Sequence, residues 1–218
     1  MAKVYLSPSN QTDNVYAYGN TTEAVQCGKI AEACRVALER SGVTVKLGHM
    51  PSMQEKCRES DAFGADLHVP IHTNAFNGKV SGTRMFCFNS TGEGMKACKA
   101  IFARLAPVTP GTSENIKVDA SLYEVRAPKA PTAYIECEFH DNPAASQWIV
   151  ENTELIGETI ARGVCDYFGV TFKEPVKAET TAADKLYRVQ VGAFSKRENA
   201  EKLLARLKAA GFEGFIRE

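Results

Sequence analysis

The chain has 218 residues, 44% apolar and 24% charged, which allows one sizeable core with a small appendage and excludes a disordered chain. Lysine plus arginine equals aspartate plus glutamate at 26 each, and no basic stripe with interleaved aromatics occurs, so nucleic acid and anionic membrane surfaces are poor partners. The seven cysteines are an odd number without CxxC spacing, which argues against a disulfide framework or a zinc ribbon and for reduced core thiols.

In chain order, residues 4–6 (VYL) predict a first strand. Residues 22–41 form an amphipathic helix ended by Gly42, and 43–47 a second strand. Ser52 with Glu55 three residues on makes a capping box for a helix to about Phe63, and ADLHVPIH is an apolar strand ending at His72. A strand at 82–89 and a helix at 92–105 follow, then a Pro/Gly/Ser/Thr loop at 106–120. LYEVR (122–126) and TAYIECEF (132–139) are predicted as strands; Asn142-Pro143 opens a helical region, and 154–168 supplies the last helix. Strands alternating with helices predict an α/β fold, three-layer α/β/α with a mostly parallel twisted sheet, whose sites form beyond the carboxyl ends of the strands. Residues 173–184 lose apolar periodicity and are a linker between a first domain (1–172) and a small C-terminal βαβ unit (185–218), with a strand at 187–194, a helix capped by Ser195 and a further strand from Phe212.

Two histidines stand out. His68 and His72 share one strand face, but four residues at about 3.3 Å rise separate them by roughly 13 Å, too far to hold one ion together. His68 therefore fits a core or supporting role, and His72 needs partners from other strands. Tyr134, Glu136, Glu138 and His140 alternate onto one face of their strand, opposite Ile135, Cys137 and Phe139. A carboxylate mid-strand in a covered sheet has its pKa raised toward that of a general base; the alternative is an edge strand whose polar face meets water. Glu23, in the first turn of its helix, is on its own a solvated partner of the helix dipole.

Taken together, Glu23 after a strand and polar loop, IHTN closing a third strand, and LYEVRAPKAPTAYIECEFHDN resemble the zinc-dependent N-acetylmuramoyl-L-alanine amidases, including phage endolysin and autolysin catalytic domains, over about residues 3–170. The resemblance implies Glu23 and His72 as zinc ligands and Glu136 as catalytic base. It also implies cleavage of the amide between the lactyl group of N-acetylmuramic acid and L-alanine in peptidoglycan. Asn74 and Arg126 are candidate substrate contacts by position. The family's first metal ligand is a histidine in a D-P-G-H-G loop, and here Asn10 stands at its place. Gln11, Asp13 and His140 are the other candidates for a third ligand. The substitution leaves an alternative, a wall-binding protein of amidase fold that has lost metal and reaction.

YRVQVGAFSKRENAEKLLARLKAAGFEGFIRE resembles the first half of a SPOR domain, a peptidoglycan-binding module. So short a half-module buries little core alone, and the expectation is that two chains pair these segments into one composite sheet, a homodimer. The N-terminus carries no signal-peptide pattern, and no apolar run approaches the roughly 20 residues of a membrane span. The expectation is synthesis in a bacterial cytoplasm without a signal peptide, no membrane insertion, and action on the cell wall after release.

Overall fold

The computed structural model describes residues 1–112, 114–175 and 189–216. The chain divides into two compact units, Met1–Pro175 and Val176–Glu218.

In the first unit the elements run β1 (Lys3–Pro8), α1 (Glu23–Arg40), β2 (Thr44–Leu47), α2 (Met53–Phe63), β3 (Leu67–Asn74), β4 (Arg84–Cys87), α3 (Glu93–Leu105), β5 (Asn115–Val118), α4 (Tyr123–Arg126), β6 (Tyr134–Phe139), α5 (Pro143–Glu151) and α6 (Thr153–Phe168). The six strands form one sheet in the order β2-β1-β3-β6-β4-β5. β2, β1, β3 and β6 are parallel; β4 runs antiparallel to β6 and parallel to β5. The mostly parallel α/β reading therefore holds.

The side chains of alternate strand residues divide the sheet into two chemically different faces. Val4, Leu6, Leu67, Val69, Ile71, Met85, Ile135 and Cys137 belong to one continuous apolar core with Cys27, Ile30, Cys34 and Leu38 of α1, Cys98 and Ile101 of α3, and Ile156, Ile160 and Val164 of α6. At α1 and α6 the contact is close: a Cβ on Gly157 would lie 2.5 Å from the Ile30 carbonyl oxygen and 2.8 Å from the Cys34 nitrogen. The residues between them, Tyr5, Ser7, His68, His72, Tyr134 and Glu136, belong to the other face, and its buried neighbours include Lys56 and Cys57 of α2 and Glu124 of α4. All seven cysteines are buried and unpaired, as core thiols should be. No helix among the described residues is long and apolar enough to cross a membrane.

Helix ends follow the sequence chemistry. The Ser52 side chain accepts from Glu55 N, and Gly64 ends α2 in the left-handed conformation at φ 67°. Asn142 Oδ1 accepts from Ala144 N and Ala145 N with Pro143 in the first turn of α5.

Two elements depart from expectation. LYEVR is not a strand: Tyr123–Arg126 form one helical turn, with Ala127 N donating to Tyr123 O at 2.9 Å. Glu124 and Val125 are adjacent and both buried, which a turn of helix permits and a strand, with its alternating faces, does not. Within the 106–120 loop, Asn115–Val118 form the edge strand β5, whose register on β4 places Ile116 opposite Met85. Four residues with one half-buried apolar side chain, set in a Pro/Gly-rich stretch, carry too little alternation to be seen in sequence.

In the second unit, α7 (Arg197–Ala209) forms where the helix was expected, although its N-cap is Lys196 rather than Ser195. The predicted strands are absent from 189–194 and 212–216; residues 187–188 and 217–218 lie outside the described residues, as does most of the predicted linker. Val189, Val191, Phe212 and Phe215 are exposed, and α7 buries none of its residues.

Candidate active site

The site lies at the carboxyl ends of β1, β3 and β6. After β1 the chain enters a loop that folds back on the start of α1. Thr22 makes no side-chain cap; instead Ala24 N donates to Gln11 O and Glu23 N to Asn14 O. Loop carbonyls thus take helix N–H groups that would otherwise lack partners, which fixes Gln11 and Asn14 beside Glu23. Glu23 is 1% exposed, so it is not the solvated dipole partner its position alone suggests.

β3 brings His72 to Glu23. His72 Nδ1 lies 2.9 Å from Glu23 Oε1, while Asn14 Nδ2 donates to Glu23 Oε2 at 2.6 Å. The Gln11 amide nitrogen completes a triangle, 3.4 Å from His72 Nδ1 and 3.5 Å from Glu23 Oε1. The His72 ring stacks on Tyr134, with centroids 4.8 Å apart. In the parallel register of β3 and β6, His72 stands opposite Glu136, and Arg84 of β4 is opposite Glu136 from the other side. Three sequence-predicted residues, Glu23, His72 and Glu136, therefore converge.

The other oxygen-rich group came from outside the predicted set. Glu124, 1% exposed, reaches between the two histidines: Oε1 lies 3.3 Å from His68 Nε2 and accepts from Ser7 Oγ at 2.5 Å, and Oε2 lies 3.8 Å from His72 Nε2. One carboxylate spans the gap between His68 and His72. With the segment assigned to a strand, the inward turn of Glu124 was hidden; the signal available was an acid flanked by Tyr and Val in an otherwise apolar stretch. Cys57, His68 and Glu124 have potential ligand atoms within 4.8 Å of one another and could hold a metal ion. Burial, with Glu124 adjacent, pushes the Cys57 thiol up to about 12.

The candidates for a third ligand separate clearly. Asn10 Nδ2 donates to Pro51 O at 2.6 Å, and Asp13, like Gln11, is exposed. His140 is buried with Nδ1 3.0 Å from both Thr73 Oγ1 and Thr73 O, its ring stacked on Tyr16. Of the four, Gln11 is the one with a hydrogen-bond contact to the Glu23–His72 pair. Glu138 does not join the site: its Oε2 accepts from Gly82 N at 2.6 Å and Phe139 N at 3.1 Å. A register shift between His72 and Asn74 puts Asn74 opposite Phe139 and breaks the simple alternation expected along β6. Asn74 Oδ1 accepts from Ala75 N, and exposed Arg126 donates to Ser121 O.

The electrostatics suit a cation. Burial opposes charge on His72, but Glu124, Glu23 and Glu136 outweigh it and raise the imidazole to about 9. Burial likewise works against Glu23 and Glu124, yet both are lowered, Glu23 by His72, Asn14 and Ser9, and Glu124 by His68, His72 and Ser7. Glu136 is raised to about 7 by burial and by Glu23, against the opposing charges of His72 and Arg84. A tetrahedral ion with ligand bonds near 2.1 Å separates its ligand atoms by about 3.4 Å. The Glu23–His72 pair, a carboxylate and an imidazole 2.9 Å apart, is of the donor type and near the spacing that suits a zinc ion. Gln11 turns its amide nitrogen to the pair and its oxygen to Asn14, so it would join them as a ligand only with the amide reversed.

Comparison with known proteins gives the family and the fold. Residues 8–166 match the N-acetylmuramoyl-L-alanine amidase family, and residues 169–218 match the SPOR domain. The chain is 23% identical over 223 residues to the sporulation-specific N-acetylmuramoyl-L-alanine amidase of Bacillus subtilis, covering 99% of this chain and 84% of that protein. It is similar in fold to the catalytic domain of CwlV, an N-acetylmuramoyl-L-alanine amidase from Bacillus (Paenibacillus) polymyxa, with TM-score 0.71 and 16% identity over 78% of this chain and 100% of that one. The amidase AmiC2 of Nostoc punctiforme gives TM-score 0.69 and 18% identity over 77% of this chain and 97% of that one. Because the family match takes in most of the chain and every strand end that builds the site, the chain belongs to the N-acetylmuramoyl-L-alanine amidases and carries a SPOR domain after its amidase domain.

Proposed function

We propose that this peptidoglycan amidase is zinc-dependent and cuts the bond between the lactyl carbonyl of N-acetylmuramic acid and L-alanine, with Glu136 as general base. The observation that carries this reading is the 2.9 Å approach of Glu23 Oε1 to His72 Nδ1, with Glu136 opposite His72 in the sheet. Glu23, His72 and Gln11 would hold the ion. For Gln11 the amide must turn to present its oxygen, losing the 3.1 Å bond that Asn14 Nδ2 donates to Gln11 Oε1. That loss is about 1 kcal/mol, small beside the ~10 kcal/mol scale of structural zinc binding.

When bound, zinc supplies Lewis-acid polarisation of the scissile carbonyl and acidifies water for attack. Glu136, buried enough to be raised to about 7, takes the attacking water's proton and returns one to the departing alanine amine. Tyr134 holds the His72 ring by stacking, and Arg84 supplies positive charge beside Glu136. Asn74 and Arg126 are proposed as substrate contacts; Arg126 commits one donor to Ser121 and has others to offer. The second unit is proposed to pair with its counterpart in a second chain, supported by the exposed Val189, Val191, Phe212 and Phe215. Light scattering giving a monomer at micromolar concentration would reject that pairing. Action on the wall after release from a bacterial cytoplasm is proposed on the seven unpaired buried thiols.

The test combines zinc content by elemental analysis with mass spectrometry of stem peptides released from purified peptidoglycan. Stoichiometric zinc and free L-alanyl amino termini are expected. A parent protein with neither is a silent wall-binding chain, the reading that the missing histidine at Asn10 favours.

A further inference from the structure

The catalytic face contains one buried carboxylate to which neither the metal reading nor the base assigns a task. We propose that Glu124 is a positioning residue: it accepts the Nε2 proton of His72, fixing the tautomer and ring orientation that leave Nδ1 facing Glu23 and Gln11. This rests on the metal reading above.

Four observations carry it. His72 Nε2 and Glu124 Oε2 are both buried and both lack a hydrogen-bond partner among the described residues, and they face each other at 3.8 Å. That is an ion-pair separation, and a closure of roughly 1 Å makes it a hydrogen bond. The far oxygen of Glu124 is already anchored by Ser7 Oγ and His68 Nε2, so the carboxylate has a fixed orientation with Oε2 left over for His72. The opposite nitrogen, Nδ1, is the one turned to Glu23 at 2.9 Å. A neutral imidazole carries one proton and one lone pair, so a partner that holds the proton at Nε2 delivers the lone pair at Nδ1. Finally, α4 turns Glu124 inward through a single helical turn and shields it to 1% exposure, a placement that makes no sense for a solvated acid.

A structural role in the Ser7–Glu124–His68 network alone would leave the nitrogen chemistry of His72 untouched, which provides the discriminating readout. Long-range proton–nitrogen NMR of the zinc-loaded parent should find the His72 proton on Nε2 and the metal-bound nitrogen as Nδ1; the opposite assignment overturns the proposal without any variant. Glu124→Gln keeps the shape and, in zinc competition against a chromophoric chelator, should weaken the ion 10- to 100-fold, with partial recovery in Glu124→Asp. Ser7→Ala, which loosens the anchor while leaving the carboxylate, should lose less than Glu124→Gln. Zinc affinity within threefold of the parent in a folded Glu124→Gln protein, with the His72 signals unmoved, also overturns it. The metal reading fails differently: the parent would bind no zinc, or Glu23→Gln would not weaken it.

Discussion

Replacing Glu136 by Gln removes a proton acceptor while keeping the side chain's volume, and it separates catalysis from folding. Loss of a general base lowers the rate by about 100- to 10,000-fold, or roughly 3–5 kcal/mol of transition-state stabilisation. The same change should stabilise the metal-free protein. Glu136 is raised from 4.5 to about 7 by burial, so its ionisation is opposed in the folded chain and not in the unfolded one. Between those two values the unfolded state loses its proton first, and stability falls as pH rises; at about 1.4 kcal/mol per pH unit the accumulated cost levels off near 3 kcal/mol above pH 7. Glutamine has no such cost. Urea unfolding of metal-free parent and variant should therefore differ by about 3 kcal/mol at pH 8 and converge below the ordinary carboxylate range, while peptide release from peptidoglycan collapses and zinc content stays equal. A variant that keeps more than a tenth of parent activity, or whose stability gain is the same at pH 4 and pH 8, would refute the burial argument and the base assignment with it.

Gln11→Ala should weaken zinc about tenfold or more while Asn10→Ala leaves it unchanged, measured by chelator competition; the reverse order would return the third ligand to the family's ordinary position. His72 is raised to about 9 in the metal-free protein, so binding must displace a proton and affinity should climb by roughly tenfold per pH unit between pH 6 and 8, as calorimetry in two buffers of different ionisation enthalpy would record. Cys57→Ser should keep full zinc stoichiometry if the ion sits with Glu23 and His72, and lose it if the Cys57–His68–Glu124 group is the true site. Gly157→Ala forces a methyl against the Ile30 carbonyl and should lower unfolding stability by about 1–3 kcal/mol without changing the pH profile of the reaction.

Much of the frame was written in local pattern. The Ser52 and Asn142 caps and the helices of 22–41, 92–105 and 154–168 are fixed by interactions a few residues long, which is why they were legible. His72 and Glu136 are singled out by the resemblance of IHTN and of LYEVRAPKAPTAYIECEFHDN to the amidases, because the local pattern alone does not separate them from His68 and Glu138 on the same strands. What sequence could not supply was any quantity that depends on residues distant in the chain. That Glu23 is buried rather than solvated follows from a loop folding over α1 and from His72, 49 positions away, meeting its carboxylate. Asn10 and Gln11 are neighbours in sequence, yet one turns to Pro51 and the other to the ligand pair, a difference made by the path of the loop. Glu124 was invisible as a site residue because a single turn of helix, stabilised by packing rather than propensity, swings it between two histidines that the chain itself keeps apart. Local chemistry offered the groups; only the side-by-side pairing of β1, β3 and β6, with the loops and helices folded onto them, decided which atoms meet, because desolvation and charge act through space and not along the chain.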